Sequence, residues 1–530
     1  MKITANYLLT AGLVTGNLVL ADSPKNSGKE NRPNILFCIA DDAAFAHFSA
    51  NGSKWVKTPA YDYVAANGIN FINTYTSNAK SAPSRASVLT GRHSWQLEEI
   101  GNHISIWPSA KYTTFMEVLG NNNYRVGYTG KGWAPGNPGI VNGKERELTG
   151  KKYNAIRTTP PSKQIANVDY AANFEAFLNS NKEGNPWSFW FGCHEPHRPY
   201  EYGTGAGIGG MKMSDIDNLP SYWPDNDTVR MDMLDYAFEI EYLDKQLDKM
   251  INMLTKRGEL DNTIIIVTSD NGMPFPRSKG LQYESSNHMP FAVMWPKGIN
   301  EKGRTEEGYV NFVDIAPTLI EAAGLKWQET GMEPSPGKSL MDVFKNQEKH
   351  DRSYTILGQE RHDAGRPANQ GYPIRSIIMD GFLYSFHFKP ELWPAGDPET
   401  GYLNTDGSPT KSNILNLRRQ GIDSQYWKLN FGKLPQEHLY HISVDRHCLI
   451  NLADQPAYNE RRKKMKKILF DELKSQNDPR LTDNGDVFDR YPFFNELYHN
   501  LYEKYMKGDK SIKTKTGWVN PTDYEEEPLR

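Results

Sequence analysis

The chain has 530 residues, which is too long for one typical domain, so we expect two. Its formal net charge of −3 argues against a general nucleic-acid-binding surface, so any anion site must be local. Three cysteines exclude a disulfide scaffold, and we expect buried thiols, although their number would allow one pair.

The N-terminal part has the pattern of an export leader followed by a tether. Residues 1–21 have a basic start, an apolar stretch from Leu8 to Leu20 and a small last residue, which is typical of a cleavable secretory signal. Residues 22–32 are polar and predict a tether; a disordered or buried N-terminus is the alternative. No later stretch has ~18 uninterrupted apolar residues, so we expect no membrane span and a periplasmic or secreted bacterial protein.

Two apolar runs, at 34–40 and 263–268, predict buried strands of a parallel sheet. Each run is followed by oxygen-bearing side chains: Asp41 and Asp42 after the first, Asp270 and Asn271 after the second. Carboxylates crowded at strand ends repel each other unless a cation lies between them, and such ligands suit Ca²⁺ or Mg²⁺. A solvated turn is the alternative explanation for each pair.

Helical and extended patterns alternate along the rest of the chain. Helices are predicted at 113–122, 169–179, 227–257 and from about Pro317, and strands at 124–129, 186–192 and near 310. Glycine-rich residues 203–210 predict a mobile loop without a nucleotide-binding role, because no strand and helix frame them. After residue 345 the patterns predict exposed-sheet strands in 376–388, a strand and turn in 437–453, a basic amphipathic helix at 463–473 and a surface-wrapping or disordered tail at 507–530.

The segment 81–92 has the pattern of a loop that turns into a helix. Ser81 is a suitable cap, Pro83 suits the first turn, and Arg85 lies one turn further along on the same face. Because a helix N-terminus attracts anions, a hydroxyl, backbone N–H groups and a guanidinium could meet one tetrahedral anion there. An ordinary capped helix start is the alternative.

The full string of this segment, S-x-P-x-R-x-x-x-L-T-G-R, resembles the signature of the type I sulfatases. In that family the first residue, Cys or Ser, is oxidised to formylglycine, which implies this modification for Ser81. The formylglycine hydrate keeps a second hydroxyl on the same carbon, so it can return to the aldehyde and expel sulfate, which a plain serine ester cannot easily do. A formylglycine-generating maturase of the anaerobic type, acting before export, is an implied partner.

The resemblance also implies a fold and a set of site residues. The fold is α/β, with an alkaline-phosphatase-like, mixed and mostly parallel sheet sandwiched by helices at 33–345, and a smaller C-terminal α+β domain at 346–530 with an antiparallel sheet and a helix. The family's positions for one divalent cation, usually Ca²⁺, correspond to Asp41, Asp42, Ser81, Asp270 and Asn271. Its catalytic and sulfate-binding positions correspond to Ser81, Arg85, Lys131, His197 and Lys279, with His197 protonating the leaving group.

The sequence departs from the family pattern at Trp133, where most relatives have a histidine that assists breakdown of the sulfated intermediate. This departure argues against fast turnover by the usual route unless another histidine takes its place; His93 and His103 are candidates, although each is more often a surface or core histidine. The side chains predicted to bind the sugar are Trp133, His103, Glu360, Arg361, His362 and Arg375.

The segments 194–198, 269–276 and 372–376 look most like those of the heparan N-sulfatases, or N-sulfoglucosamine sulfohydrolases. The implied function is release of sulfate from a glycosaminoglycan-type saccharide, with N-sulfoglucosamine of heparan or heparin as the first choice. The alternatives are an O-sulfatase for another position, such as 6-O-sulfated GlcNAc, a catalytically impaired relative that binds sulfated glycans, and a phosphatase or phosphodiesterase of the same superfamily. A phosphatase or phosphodiesterase of this superfamily normally needs two zinc ions, and the sequence shows no convincing second set of metal ligands.

Overall fold

The computed structural model describes residues 32–108, 111–217, 219–347 and 351–529. The predicted signal at 1–21 and the predicted tether, except for its last residue, lie outside the described residues. Among the described helices, none combines the length and the apolar character needed to cross a bilayer.

The strands of the described chain are β1 (Asn34–Ala40), β2 (Ile69–Phe71), β3 (Thr74–Tyr75), β4 (Ser105–Ile106), β5 (Arg125–Gly130), β6 (Gly136–Asn137), β7 (Ile140–Val141), β8 (Lys144–Glu145), β9 (Lys151–Lys152), β10 (Trp187–Gly192), β11 (Thr263–Ser269), β12 (Phe291–Met294), β13 (Arg304–Glu306), β14 (Val310–Asn311), β15 (Tyr354–Gln359), β16 (Ile374–Met379), β17 (Phe382–His387) and β18 (Glu437–His441). The helices are α1 (Pro59–Ala66), α2 (Ser81–Thr90), α3 (Phe115–Asn121), α4 (Tyr170–Asn179), α5 (Thr204–Gly207), α6 (Asp227–Arg257), α7 (Glu284–Asn287), α8 (Ile315–Ala322), α9 (Met341–Phe344), α10 (Pro409–Arg419), α11 (Gln425–Phe431), α12 (Asn459–Ser475), α13 (Val487–Arg490), α14 (Leu501–Met506) and α15 (Ile512–Lys515).

The larger sheet has the strand order β13-β2-β12-β11-β1-β10-β5-β9. Its central strands β11, β1, β10 and β5 run parallel, whereas β12 is antiparallel to β11 and β2. The register pairs Ala40 with Ser269 and Ile39 with Gly192, so these strands end at nearly the same level. The residues that follow each strand are therefore brought together at one edge of the sheet.

Helices cover both faces of this sheet, as the buried residues of β1 show. Leu36 and Cys38 belong to a core shared with α1, α4 and α6, whereas Ile35 and Phe37 belong to a core shared with α2, α3 and α8. Successive strand residues point to opposite faces, so a continuous apolar run is what a strand covered on both sides needs. The three cysteines are free and buried, as predicted.

The long helix α6 has the predicted bounds, because Asn226 caps its start through the backbone N–H of Val229 and Gly258 ends it with a φ of 68°. The glycine-rich segment was predicted as a mobile loop, and the structure corrects this. It contains α5, and Asp235 of α6 accepts hydrogen bonds of 2.8 Å from the backbone N–H groups of Gly203 and Gly205. These two bonds attach the segment to the long helix.

The smaller sheet is antiparallel, in the order β15-β16-β17-β18. The predicted basic helix corresponds to α12, whose Leu469 packs with Ile377 and Leu439 on one face of this sheet. On the other face, Ile378 packs with Tyr75 of the larger domain. Strands β16 and β17 are therefore almost wholly buried, rather than exposed as predicted.

The last residues of the described chain pack on the surface of the molecule and are not a free tail. Their apolar side chains form one buried cluster with residues from the body of the protein: Ile104, Ala364, Leu403, Phe493, Leu501, Tyr505, Ile512, Val519 and Tyr524. The tail therefore wraps around the protein, one of the two predicted outcomes, and it covers the region next to the candidate site.

Candidate active site at the carboxyl ends of the central strands

Helix α2 starts at the sheet edge where the central strands end. Ser81 is its first residue and Lys80 the cap position, so Ser81 is not the cap that the sequence predicted. The Ser81 hydroxyl instead donates to Asp41 Oδ1 over 3.0 Å. Gly91, with a φ of 68°, ends the helix. All residues of α2 are buried. The hydroxyl is thus fixed against the end of β1.

Three buried carboxylates meet beside this hydroxyl. Oxygen atoms of Asp41, Asp42 and Asp270 lie within 4.8 Å of one another. Asn271 donates from Nδ2 to Asp42 Oδ1 over 2.7 Å, and its Oδ1 is buried without a hydrogen bond. Hard oxygen ligands that include an unused amide oxygen fit a divalent cation such as Ca²⁺. The three predicted aspartates are therefore close enough to share one ion, and Asn271 contacts one of them.

The backbone at Asp42 explains how two consecutive residues reach the same cluster. In a regular strand the side chains of Asp41 and Asp42 would point to opposite faces. Asp42 has a φ of 77°, a left-handed conformation that costs a residue with a side chain about 1 kcal/mol or more. The strand is thus broken at this residue, and both carboxylates contribute to the cluster.

The charges of the cluster shift the pKa values of its members in opposite directions. Burial and the charge of neighbouring Asp41 raise the pKa of Asp270 to about 6. Burial would also raise the pKa of Asp41, but the charges of Lys131, His197 and Arg85 outweigh it and keep that pKa well below its ordinary value. A bound cation would relieve the crowding of carboxylates that raises the pKa of Asp270.

Arg85 and Lys131 surround the cluster on the side of α2. Arg85 donates from Nε to Asp270 Oδ2 over 2.8 Å and from Nη1 to the carbonyl oxygens of Lys131 and Gly132, each over 3.0 Å. Its Nη2 is buried and makes no hydrogen bond. Lys131 Nζ lies 2.7 Å from Asp41 Oδ2. A guanidinium N–H and an ammonium are therefore available to an anion bound next to Ser81.

Lys279 and His197 complete the cationic side of the site. Lys279 Nζ lies 2.7 Å from Asp42 Oδ2 and 2.8 Å from Asp406 Oδ2. Burial would lower the pKa of Lys279, but the charges of Asp406 and Asp42 outweigh it and raise this pKa above its ordinary value. His197 Nδ1 lies 2.6 Å from the carbonyl oxygen of Arg198, so Nδ1 carries a proton and Nε2 faces the site, 3.8 Å from Asp42 Oδ2.

These groups open into a pocket of about 260 Å³. We call a first set of residues the strand-end half: the lining residues Ser81, Lys131, His197 and Lys279, together with the acidic cluster of Asp41, Asp42 and Asp270 beside them. We call a second set of lining residues the tail-side half: Lys80, His103, Ile104, Asp363, Phe494, Tyr498 and Trp518. Asp406, Ala134 and Pro135 also line the pocket.

Several of these lining residues were not predicted. Lys80 precedes the signature directly, and Asp363 follows the predicted Glu360–His362 stretch, so both lie within one residue of a position that the sequence did indicate. Asp406 lies in a loop of turn residues, and Phe494, Tyr498 and Trp518 lie in the last 40 residues of the chain. No motif marks any of these four residues.

Of the predicted sugar-binding residues, the structure brings His103 to the pocket. His103 Nδ1 lies 3.3 Å from Asp363 Oδ1, and burial lowers the pKa of this histidine although Asp363 acts in the opposite direction. His93, the other candidate to replace the family histidine, stacks on Trp95 with ring centroids 4.3 Å apart and does not line the pocket. His103 is thus the better placed of the two.

Trp133 does not line this pocket. Its Nε1 donates to the carbonyl oxygen of Ala82 over 2.9 Å, and its ring contacts Trp107 edge to face at 5.1 Å. The side chain is buried in the core behind the first turn of α2. We therefore replace the predicted contact with the sugar by a packing role that supports the residue next to Ser81.

The remaining predicted sugar-binding residues are buried in structural contacts away from the pocket lining. Arg375 pairs with Glu360 and with Asp478 at 2.6 Å each, and all three side chains have no exposed surface. Arg361 lies over the ring of Phe493, with its guanidinium carbon 3.9 Å from the centroid. His362 Nε2 lies 2.7 Å from Asn78 Oδ1. Glu360, Arg361, His362 and Arg375 therefore connect parts of the protein and do not line the pocket.

Residues 33–325 match the family model described as Sulfatase, which covers more than half of the chain. The chain belongs to the sulfatase family. A second model, described as N-sulphoglucosamine sulphohydrolase, C-terminal, matches residues 277–376. The family and the enzyme class that the sequence predicted are confirmed: the protein is a sulfatase, a hydrolase of sulfate esters or sulfamates.

The curated relatives include sulfatases that act on different substrates. An ulvan-active sulfatase of Formosa agariphila is 26% identical over 539 residues, covering 92% of this chain and 81% of that protein. The N-sulphoglucosamine sulphohydrolase of Homo sapiens is 25% identical over 456 residues, covering 80% of this chain and 86% of that protein. An N-acetylglucosamine-6-O-sulfatase of Bacteroides thetaiotaomicron is 25% identical over 464 residues, covering 69% of this chain and 80% of that protein.

Solved structures show the same fold. A protein in complex with its substrate D-glucosamine-2-N,6-O-disulfate matches with a TM-score of 0.59 and 20% identity, covering 86% of this chain and 99% of that one. A 2-O glycosaminoglycan sulfatase matches with a TM-score of 0.60 and 17% identity, covering 85% of this chain and 94% of that one. The predicted alkaline-phosphatase-like fold with a smaller antiparallel sheet is confirmed.

Proposed function

We propose that this sulfatase is exported and removes sulfate from a sulfated glycan, with N-sulfoglucosamine of heparan or heparin as the first candidate. The match of 277–376 to the N-sulphoglucosamine sulphohydrolase model and the human relative support this substrate. The relatives active on ulvan and on 6-O-sulfated N-acetylglucosamine support an O-sulfatase as the second candidate.

The observation that carries the proposal is one pocket that joins a hydroxyl at a helix start, cationic side chains and an acidic cluster. Ser81 is the residue that a maturase would oxidise to formylglycine, and its hydroxyl already lies 3.0 Å from Asp41 Oδ1. Formylglycine supplies a nucleophile with a second hydroxyl on the same carbon. Asp41, Asp42, Asp270 and Asn271 would hold one Ca²⁺, which supplies a positive charge beside that nucleophile.

The side chains of this sulfatase have distinct tasks in the proposed reaction. Arg85, Lys131 and Lys279 bind the oxygens of the sulfuryl group and neutralise the charge that grows there as the bond to sulfur changes. His197, with Nε2 on the pocket side and 35% of its side chain exposed, gives a proton to the leaving oxygen or nitrogen. His103, which lines the same pocket, contributes to binding of the sugar.

A phosphatase remains the rival from a different reaction class. Among the described residues, Asp42, His197 and Asp406 form a second group with metal-ligand spacing. However, the ammonium of Lys279 lies between two members of that group, at 2.7 Å from Asp42 and 2.8 Å from Asp406. A second metal ion would have to displace this buried cation, so the geometry favours sulfate chemistry with a single ion.

The proposal is tested with the matured protein and a panel of defined N-, 2-, 3- and 6-sulfated saccharides. We expect sulfate release from the N-sulfated sugar, and an intact mass that is lower by two hydrogens at Ser81. Release from an O-sulfated sugar instead would support the second candidate. Tight binding without release would indicate an impaired relative, and hydrolysis of phosphate but not sulfate esters would indicate a phosphatase. An unmodified Ser81 in an active preparation would refute the formylglycine mechanism.

A further inference from the structure

The smaller domain carries a concentrated run of positive charge on α12. This helix has seven basic and three acidic side chains, a net charge of +4, whereas the whole chain has a net charge of −3. Six of the seven basic residues lie between Arg461 and Lys467, where only Met465 interrupts them. Lysine and arginine runs of this length are typical of patches that bind polyanions. The positive charge is therefore a local feature of α12 rather than a property of the whole surface.

Three lysines of α12 form a row along one exposed face. We call Lys463, Lys467 and Lys474 the lysine row; all three side chains are exposed. Their spacings of four and seven residues place them above one another on the same side of a helix. With a rise of 1.5 Å per residue, the row is roughly 16 Å long. It therefore presents several positive charges at once to an extended ligand.

The acidic partners of the row are themselves exposed. Lys463 Nζ lies 3.0 Å from Glu460 Oε1, and Lys467 Nζ lies 2.6 Å from Asp471 Oδ2. All four of these side chains are more than half exposed. Exposed ion pairs contribute little free energy and are screened by salt. The sulfate groups of a ligand can therefore replace these carboxylates at little cost.

The apolar side of α12 is already used by the fold. Met465, Leu469 and Leu473 are fully buried in one cluster with Ile377 and Leu439 of the smaller sheet. Because this whole helix is described and its apolar face is covered, it has no face left to insert into a lipid surface. Its exposed positions also carry no aromatic ring on which a nucleic-acid base could stack. These features favour a hydrophilic, densely charged polymer as the ligand.

We propose that the lysine row is a docking surface for the sulfated polysaccharide from which this enzyme removes sulfate. The identity of the polymer rests on the proposed function. The docking surface is separate from the catalytic pocket, because α12 contributes no residue to its lining. Sulfate groups of the polymer pair with successive lysines of the row and hold the polymer on the enzyme. This second contact raises the local concentration of saccharide at the pocket.

The test measures binding of heparin to the full-length protein at several salt concentrations. We expect affinity to fall as salt rises, because a polyanion releases counterions where its charges are neutralised. Lys463→Gln/Lys467→Gln/Lys474→Gln should lower affinity about tenfold or more and flatten this salt dependence. Lys463→Arg/Lys467→Arg/Lys474→Arg, which keeps the charges, should bind like the wild type. The glutamine variant should also raise KM for the sulfated polymer, with kcat/KM for the small saccharide accepted in the panel unchanged.

A matched control is available on α6. Lys245, Lys249 and Lys256 are exposed and have the same spacing as the lysine row, but α6 has five basic and seven acidic side chains, a net charge of −2. Lys245→Gln/Lys249→Gln/Lys256→Gln removes the same charge from the protein and should bind heparin like the wild type. If the α12 triple variant loses its thermal transition, Lys467→Gln decides, with an expected loss of about two- to threefold in affinity.

The outcomes separate this inference from the proposed function. Equal losses of heparin affinity in the two glutamine triple variants, or no loss in the α12 variant, would overturn the inference alone. Binding to vesicles of phosphatidylcholine and phosphatidylserine, or to duplex DNA, as tightly as to heparin would also overturn it. If no saccharide lost its sulfate while heparin binding still depended on the lysine row, the proposed function would fall and the docking surface would be supported.

Discussion

The two halves of the pocket are assembled in different ways. In the strand-end half, the functional groups follow directly after parallel strands: Asp41 after β1, Lys131 after β5 and Asp270 after β11. In the tail-side half, the groups come from three stretches of chain far apart in sequence, around 80–104, 363 and 494–518. The sheet register brings the strand-end carboxylates and Lys131 together, and the start of α2 adds Ser81, whereas the second set depends on the packing of the C-terminal segment.

This difference assigns different tasks to the two halves. The strand-end half is rigid, buried and crowded with charge, which is what a reaction that develops negative charge requires. The tail-side half is partly aromatic: Phe494, Tyr498 and Trp518 keep accessible surface, whereas Lys80, His103 and Asp363 are buried, and all of them lie outside the sheet. We therefore expect changes in the first half to abolish turnover and changes in the second to alter which saccharide binds.

Ser81→Ala is the strongest test of the strand-end half. Without a side-chain oxygen at this position no formylglycine can form, so we expect sulfate release to fall by about 10⁴-fold or more. The measurement is initial sulfate release from the saccharide that the wild type accepts. Ser87→Ala is the control, because Ser87 lies on the same helix but donates to the carbonyl oxygen of Pro83 and pairs with Ser77. Substantial activity in Ser81→Ala would show that another group is the nucleophile.

Metal dependence gives the next largest effect and separates the two halves. Asp270→Asn weakens the acidic cluster, so we expect kcat to fall by about 10²–10³-fold and excess Ca²⁺ to restore it only in part. Chelation of wild-type enzyme should lower both activity and melting temperature, because an ion bound to the folded state stabilises it. Asp363→Asn, in the tail-side half, should keep the calcium dependence of the wild type. The same dependence in both variants would contradict the division into two halves.

The strand-end half was predictable because its residues lie at positions that elementary rules identify. A continuous apolar run such as Ile35–Ala40 indicates a buried strand, and polar residues after such runs in a parallel sheet must meet. The long helix α6 was predictable from its spacing and its closing Gly258. Neither inference needs knowledge of distant contacts. The left-handed turn at Asp42, however, carries no sequence signal, since glycine or asparagine would be the usual choice there.

Apart from His103, the tail-side half was not predictable, because polarity alone does not tell a ligand from a buried partner. Glu360 and Arg375 have the residue types of a sugar site, yet they neutralise each other in the interior. Asp406 lies in a loop without a motif, and Trp518 reaches the pocket only because the tail packs around Leu403. Contacts such as Arg375 with Asp478 and Trp518 with Leu403 join residues more than 100 positions apart, so they leave no local pattern to detect.

Arg375→Met tests whether this residue is structural rather than sugar-binding. Removal of one partner from a buried ion pair leaves Asp478 uncompensated, so we expect a loss of about 3–5 kcal/mol in the free energy of unfolding. Urea unfolding measures it. Arg461→Met is the control, because the Arg461–Asp380 pair is exposed and should contribute less than about 1 kcal/mol. At a temperature where the variant is folded, KM should match that of the wild type; a raised KM would return Arg375 to the sugar site.

Asp363→Asn should have the smallest effect and tests the tail-side half directly. The change removes the charge that pairs with buried Lys80, which also lowers the stability of the fold, and it alters the acceptor that faces His103, so kinetics are measured at a temperature where the variant is folded. A hydrogen bond to a charged group contributes about 1.5–3 kcal/mol, but asparagine keeps one acceptor oxygen, so we expect a loss near the low end: KM for the saccharide should rise roughly tenfold, with little change in kcat. Steady-state kinetics on the saccharide and on nitrophenyl sulfate separate the two constants. Asp225→Asn, at an exposed carboxylate outside the pocket, is the control. If kcat fell while KM stayed constant, Asp363 and His103 would act on the reacting atoms, and the boundary between the two halves would have to be moved toward the tail.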